Sequence, residues 1–254
     1  MRGLGQRGWA LVGWLALACQ AAAVSAQTPQ RSVLPEIEYG YPDQSIFVAT
    51  VNAKGQPDSP MTRVAEALLT RANLPWRATP YPAPRLFKNL QDGSTAFSIL
   101  VRAPQLEQCC LFSKTPIYGT ELNVYYQGDK PPIRSRNDLP GKRVITIRGY
   151  SYGGLLKFIE DPANRIDNEA APTHKAGFEM LAAGRGDYLI DYASAAREIL
   201  AEAPLRHLNH QTLDRLDIYL VLSRQYPDAE NLMARLEAIA RTLKIEFILF
   251  EHRR

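Results

Sequence analysis

The stretch Leu139-Pro-Gly-Lys-Arg-Val-Ile-Thr-Ile-Arg-Gly-Tyr-Ser-Tyr-Gly-Gly154 decides the fold. Val144 to Ile147 is an apolar, largely β-branched run, the composition of a strand buried on both faces. Glycines at 149, 153 and 154 then free the backbone for a sharp turn and bring N–H groups close to a ligand. An amphipathic helix follows, from Gly154 to Ile159. A second stretch, Gly184-Arg-Gly-Asp-Tyr-Leu-Ile-Asp-Tyr192, is a short apolar strand that ends on an acid and a tyrosine. Two strands whose carboxyl ends carry polar groups make a ligand crevice in an α/β sheet.

Outward from these segments, strand-like and helix-like pieces alternate. Ile37 to Tyr39 and Ile46 to Val51 are short β-prone runs, the second closed by the turn Asn52-Ala-Lys-Gly55. Met61, Val64, Ala65, Leu68 and Leu69 share one helical face, and Ser59-Pro60 supplies its start. A second helix begins at Pro82-Ala-Pro-Arg85, presents Leu86, Phe87 and Leu90, and ends near Gly93. Further strands are expected at Ala96–Val101, Glu121–Tyr126, Tyr188–Ile190 and Asp217–Leu222. Helices are expected around Phe178, Met180 and Leu181, and along Leu232, Leu236, Ile239 and Leu243. The polar stretch Gln127–Asn137 reads as the tip of a subdomain. Strands separated by helices imply parallel or mixed sheets covered on both faces.

Residues 1–26 read as an export signal. Arg2 and Arg7 precede an apolar run from Trp9 to Ala18, and Val24-Ser25-Ala26 offers small residues for cleavage. Ala16-Leu17-Ala18-Cys19 is a poorer match to a lipoprotein cleavage box, with Cys19 as the lipid-bearing residue. Removing the two arginines lowers the net charge from +4 to +2. Basic residues are not clustered, which excludes a nucleic-acid footprint. The expected localisation is periplasmic. Beyond Cys19 only Cys109 and Cys110 remain, and they are adjacent. Two readings stand: small buried packing residues, or a strained redox-active pair.

Gly149-Tyr-Ser-Tyr-Gly153 satisfies G-x-S-x-G between a strand and a helix, the setting of a hydrolase nucleophile elbow. Asp191 and then His207 or His210 follow in triad order. Against a hydrolase, no upstream segment supplies an oxyanion hole, and the acid-to-histidine gap leaves little room for the elements of that fold. The preferred reading has Ser151 and nearby N–H groups capping the helix and meeting an anionic ligand. Arg148, at the end of its strand, is placed to clamp a carboxylate or to pair on the surface. Asp191 and Tyr192 end the other strand, where the acid receives a ligand amine or caps the helix from Ala193. Tyr41, Tyr81 and Tyr152 are candidate aromatic walls. His207 and His210 have no third ligand near in sequence, so neither a metal site nor a cofactor is expected.

The order of motifs resembles the bacterial extracellular solute-binding proteins of family 3, which include the polar amino-acid receptors of ABC importers. Tyr81-Pro-Ala-Pro-Arg-Leu-Phe87 with Leu90-Gln-Asp-Gly93 is similar to the family's helix and turn. Phe112-Ser-Lys-Thr-Pro-Ile-Tyr118 resembles its crossover, Asp138-Leu-Pro-Gly-Lys-Arg-Val144 its "DL.Gk.V", and Gly184-Arg-Gly-Asp187 its "GR.Da". The resemblance covers nearly the whole chain after the signal. It implies a two-lobed α/β periplasmic-binding-protein-like fold, each lobe a mixed, mostly parallel sheet flanked by helices, with two crossover strands. Lobe one would be residues 27–118 plus 224–254, and lobe two residues 119–223.

The implied function is to close on a small polar or anionic, amino-acid-like solute as a monomer and deliver it to a membrane permease, with no chemistry of its own. Arg148, Ser151 and Tyr152 would face Tyr81, Ser98 and Arg102 across the cleft. The alternatives are a Ser151 hydrolase, a dehydratase-like activity, which this scaffold also hosts, and a ligand-sensing receptor without transport. Two departures stand out. Leu106 occupies the place of the family's carboxylate-gripping arginine, and Asp191 falls four residues after Asp187 rather than five. A one-residue shift reverses the side chain's direction on a strand, which points away from an ordinary α-amino acid.

Overall fold

A computed structural model describes residues 35–43, 50–51 and 57–250. The expected export signal, Cys19 and the turn at 52–55 lie outside the described residues. In chain order the strands are β1 (Ile37–Pro42), β2 (Thr50–Val51), β3 (Pro57–Asp58), β4 (Trp76–Tyr81), β5 (Phe97–Val101) and β6 (Cys110–Phe112). They continue as β7 (Tyr118–Gln127), β8 (Arg143–Ile147), β9 (Asp167–Ala171), β10 (Tyr188–Tyr192) and β11 (Leu208–Ser223). The helices are α1 (Pro60–Arg71), α2 (Ala83–Asp92), α3 (Leu155–Ile159), α4 (His174–Ala182), α5 (Ala193–Glu202), α6 (Ala229–Ala240) and α7 (Ile245–Phe250). No helix among the described residues is long and apolar enough to cross a membrane.

Nine strands form one sheet whose main path runs β4-β1-β5-β11-β7-β10-β8-β9. Each end is parallel: β1 pairs with β4 and β5, and β8 pairs with β10 and β9. The middle is antiparallel, where the long strands β7 and β11 pair with one another. Two parallel lobes are therefore joined by two crossover strands. β11 gives Ile218–Leu222 to β5 of the first lobe, whereas β7 gives Leu122–Tyr125 to β10 of the second. The β7–β11 register shifts between Thr212 and Asp214, at the passage from one lobe to the other. A bulge there bends the ribbon and increases its twist.

Each lobe buries both faces of its sheet. In the first, Phe97, Ile99, Leu220 and Leu222 pack with α1 and α6, while Leu100 and Val221 face Leu86 and Leu90 of α2. In the second, Val124 and Ile190 point to one side, and Tyr125 and Leu189 to the other, with Phe178 and Leu181 of α4. The alternation is the period-two signature of a strand covered on both faces. Capping fixes the helix starts. Thr62 N–H donates to Ser59 Oγ at 3.1 Å, and Ala176 N–H to Thr173 Oγ1 at 3.0 Å. Gly93, with φ 76°, ends α2 in the left-handed conformation that favours glycine.

Some elements differ from the sequence reading. β4 and β9 were not expected, and both are edge strands with few buried positions. An edge has less need of the apolar runs by which strands are recognised. β11 begins at Leu208 rather than Asp217, because its polar first half, Asn209 to Arg215, is largely solvent-facing and reads as a loop. The Ser151 hydroxyl caps no helix. Asp191 does not act as the N-cap of α5, a position held by Tyr192.

Candidate functional site

The carboxyl ends of β1, β5, β8 and β10 meet at a cavity of about 100 Å³ between the lobes. From the first lobe come Pro42 after β1, Met61 of α1, Phe87 of α2 and the β5 residues Ile99 to Val101. From the second come Gly149 to Ser151, His174, Tyr192 and Ser194. Thr120, on the crossover strand β7, closes one side and lies 3.5 Å from Ser194 Oγ through its own hydroxyl. The walls are mostly apolar. No lysine or arginine is among the described lining residues.

Gly149 sets how closely the lobes approach. Its φ is 82°, and a Cβ built on it would lie 2.7 Å from Pro84 Cδ and 3.2 Å from Ala83 Cβ at the start of α2. Only a residue without a side chain fits that contact and that dihedral. Gly153, with φ 65°, meets Leu216 of β11 in the same way, at 3.1 Å. The glycine-rich turn is thus a packing surface between lobes as well as a bend.

A buried chain of polar groups backs the cavity. His174, the first residue of α4, places Nδ1 2.7 and 2.8 Å from the Asp191 carboxylate oxygens. Its Nε2 lies 3.2 Å from the Tyr150 hydroxyl. Tyr192 N–H also donates to Asp191 Oδ1, at 2.8 Å. The tautomer follows from the partners: a carboxylate only accepts, so Nδ1 carries the proton. Tyr150, Tyr152 and Tyr192 cluster around this group, with ring centroids 5.7 to 6.1 Å apart. Burial pushes the Tyr150 phenol well above its usual range, and the nearby charges of Tyr192, Asp191 and Asp43 add to the effect. Tyr150 therefore stays protonated and can donate or accept.

The residues proposed from sequence are distributed unevenly. Ser151 and Tyr192 line the cavity. Asp191 stands behind His174, fully buried, and Tyr152 is 2% exposed with its hydroxyl oxygen accepting Ile147 N–H at 2.6 Å. The others do not line it. Tyr41 is buried and stacks on Tyr39, and Ser98 Oγ donates to Gly40 O at 2.6 Å. Tyr81 hydroxyl donates to Glu38 Oε1 at 2.9 Å. The Arg102 guanidinium lies over Phe112 and Tyr219, and within 3.8 Å of Glu107. Arg148 is exposed, and its backbone N–H binds Ala171 O.

Tyr150, His174, Phe87, Met61, Thr120 and Ser194 were not singled out. Tyr150 and Phe87 fall inside quoted motifs, between residues that drew attention first. His174 follows Thr173, a cap residue, but β9 before it is a polar edge strand that conceals the strand–helix junction. His207 and His210 are both exposed, and His210 rests on the Tyr125 ring. No group of three His, Cys, Asp or Glu among the described residues is placed to hold a metal ion.

By sequence, no family model and no curated protein matches the chain. By structure, a mutant of the arginine-binding protein ArgBP from T. maritima superposes with a TM-score of 0.68 at 16% identity, covering 85% of this chain and 94% of that one. A histidine kinase sensor domain with similarity to periplasmic binding proteins gives a TM-score of 0.72 at 19% identity, covering 86% and 96%. The VFT2 domain of Bordetella pertussis BvgS gives 0.65 at 17%, covering 84% and 90%. What these chains share with this one is the two-lobed periplasmic-binding-protein fold.

Proposed function

We propose that the chain is an exported solute-binding protein whose lobes close, like a hinge, on a small molecule held in the cleft. The observation that carries this reading is the seating of Gly149 on Pro84, with a cavity beside the contact. In this reading residues 1–26 are a cleaved signal, and the protein works in the periplasm as a monomer. It passes its solute to an ABC-type permease; one solved structure of the same fold is a substrate-binding protein of an amino acid ABC transporter. In this reading lobe one is 27–118 plus 224–254 and lobe two 119–223, although Ile218–Leu222, inside the second range, pair with β5 of lobe one. Ser151 and Tyr192 touch the solute, while Asp191 and Tyr152 hold the groups that do.

Mass spectrometry of protein purified without denaturation tests this. A co-purifying small molecule is expected, and adding it back should raise the melting temperature saturably. A flat melt across a solute library, with nothing co-purifying, would overturn the reading.

A second reading, ligand sensing without transport, draws on the histidine kinase sensor domain that shares this fold. Crosslinking in the producing cell separates the two by capturing a permease or a signalling partner. A Ser151 hydrolase draws less support, because the buried histidine reaches Tyr150 rather than Ser151. Turnover of an activated ester that vanishes in Ser151→Ala would reinstate it.

A further inference from the structure

We propose that the cleft selects a compact, mainly apolar amine that carries no carboxylate. This rests on the solute-binding reading above and narrows it. The amine donates to Tyr150 and pairs with Asp43, and its hydrocarbon body packs on Phe87, Ile99 and Tyr192.

No described lysine or arginine lines the cavity, and Arg102 and Arg148 are engaged or exposed elsewhere. A carboxylate entering these walls would lose its water and gain no cation from the described lining residues, which is strongly unfavourable. The donors and acceptors favour the opposite charge. With Nδ1 held by Asp191, His174 Nε2 lies 3.2 Å from the Tyr150 hydroxyl and orients it at the cavity wall. The phenol oxygen then offers lone pairs to a ligand N–H. Asp43 directly follows Pro42, which lines the cavity; Asp43 is half-buried and not itself among the described lining residues, and its Oδ1 is buried without a hydrogen-bond partner among the described residues. A buried acid oxygen left open beside a cleft calls for a donor. The influence of Asp43 on Tyr150 supports their proximity. At about 100 Å³ the cavity is smaller than the roughly 150 Å³ that accepts benzene, so it limits the ligand to a five-membered ring or smaller.

Pyrrolidine, proline and cyclopentanecarboxylate separate these terms, since proline is pyrrolidine plus a carboxylate. Titration calorimetry on the full mature protein, with thermal shift in parallel, is expected to find pyrrolidine bound at least about tenfold more tightly than either acid. Asp43→Asn should weaken pyrrolidine by about tenfold or more, and Arg148→Ala should leave it unchanged. Tetrahydrofuran keeps the ring size and lacks the charged N–H, so its failure on wild-type protein supports the donor without any variant having to fold. If proline or the carboxylate binds as tightly as pyrrolidine, solute binding stands and the amine is overturned. If no probe binds, the molecule that co-purifies decides: an amine without a carboxylate supports the proposal and an acid overturns it. If nothing co-purifies either, the solute-binding reading fails and this inference fails with it.

Discussion

His174 Nδ1 lies within 2.8 Å of both carboxylate oxygens of Asp191, and the two residues are 4% and 0% exposed. A pair so deeply buried ties α4 to the end of β10, and it holds Nε2 toward the Tyr150 hydroxyl at the cavity wall. Its partners are interdependent: removing either leaves a polar group in a place that water does not reach.

Asp191→Asn should therefore destabilise the fold by about 1–3 kcal/mol, the cost of leaving a buried polar group badly matched. Asp191→Ala should cost about 3–5 kcal/mol, because the whole partner is gone. Urea denaturation measures both as a lower midpoint at constant slope. Midpoints equal to wild type would show that the pair contributes nothing to holding α4 on the sheet.

Glu38 supplies a pH test in the other lobe. Burial alone raises its carboxyl pKa, but hydrogen bonds from Thr95, Arg77 and Tyr81 outweigh that and lower it below the usual 4.5. Thr95 Oγ1 is 2.7 Å away and Tyr81 hydroxyl 2.9 Å. A folded-state pKa below the unfolded one gives stability that is present above pH 4.5 and lost as the pH falls through the folded value. Wild type should exceed Glu38→Gln in unfolding midpoint above pH 4.5, and the two curves should converge in more acidic solution. Parallel curves across that range would mean that the carboxylate is not held by these donors.

The same residue shows why the fold was more legible in the sequence than the site. Apolar periodicity disclosed α1, α2, β5 and β8, because burying a face requires those residues at that spacing. It could not disclose that Tyr81 turns to Glu38, or that Ser98 satisfies Gly40 O, since those partners are 43 and 58 positions away along the chain. The Asp191–His174 pair is likewise a product of parallel pairing at β8 and β9, where a polar edge strand leaves little pattern to read. Arg148 reads as a clamp because it follows a buried strand, yet β8 ends at the buried Ile147 and Arg148, one residue beyond it, is exposed. Backbone direction is readable from local sequence, whereas the final orientation of a terminal side chain depends on what packs beside it.

Cys109 and Cys110 place their sulfurs 3.3 Å apart as free thiols. Cys110 is 1% exposed, and burial, then the neighbouring Cys109, raises its pKa far above the ordinary thiol range. A thiol held protonated and covered is a poor nucleophile. Iodoacetamide at pH 8 should label Cys109 in the folded protein well before Cys110, which should react only after denaturation. Peptide mapping that finds the two labelled at equal rates would contradict the buried assignment of Cys110.

Gly149 links local backbone geometry to lobe closure. Alanine at this position meets two penalties: a left-handed φ of 82°, and a methyl group 2.7 Å from Pro84 Cδ. Gly141 isolates the first, because its φ is 73° and a methyl group there would have no atom within 4 Å. Each alanine should cost about 1–2 kcal/mol for the dihedral. Only Gly149→Ala should also prop the lobes apart, raising the radius of gyration in small-angle scattering and releasing the solute that co-purifies with wild type. If Gly141→Ala and Gly149→Ala match in scattering and in retained solute, the contact with Pro84 does not govern closure.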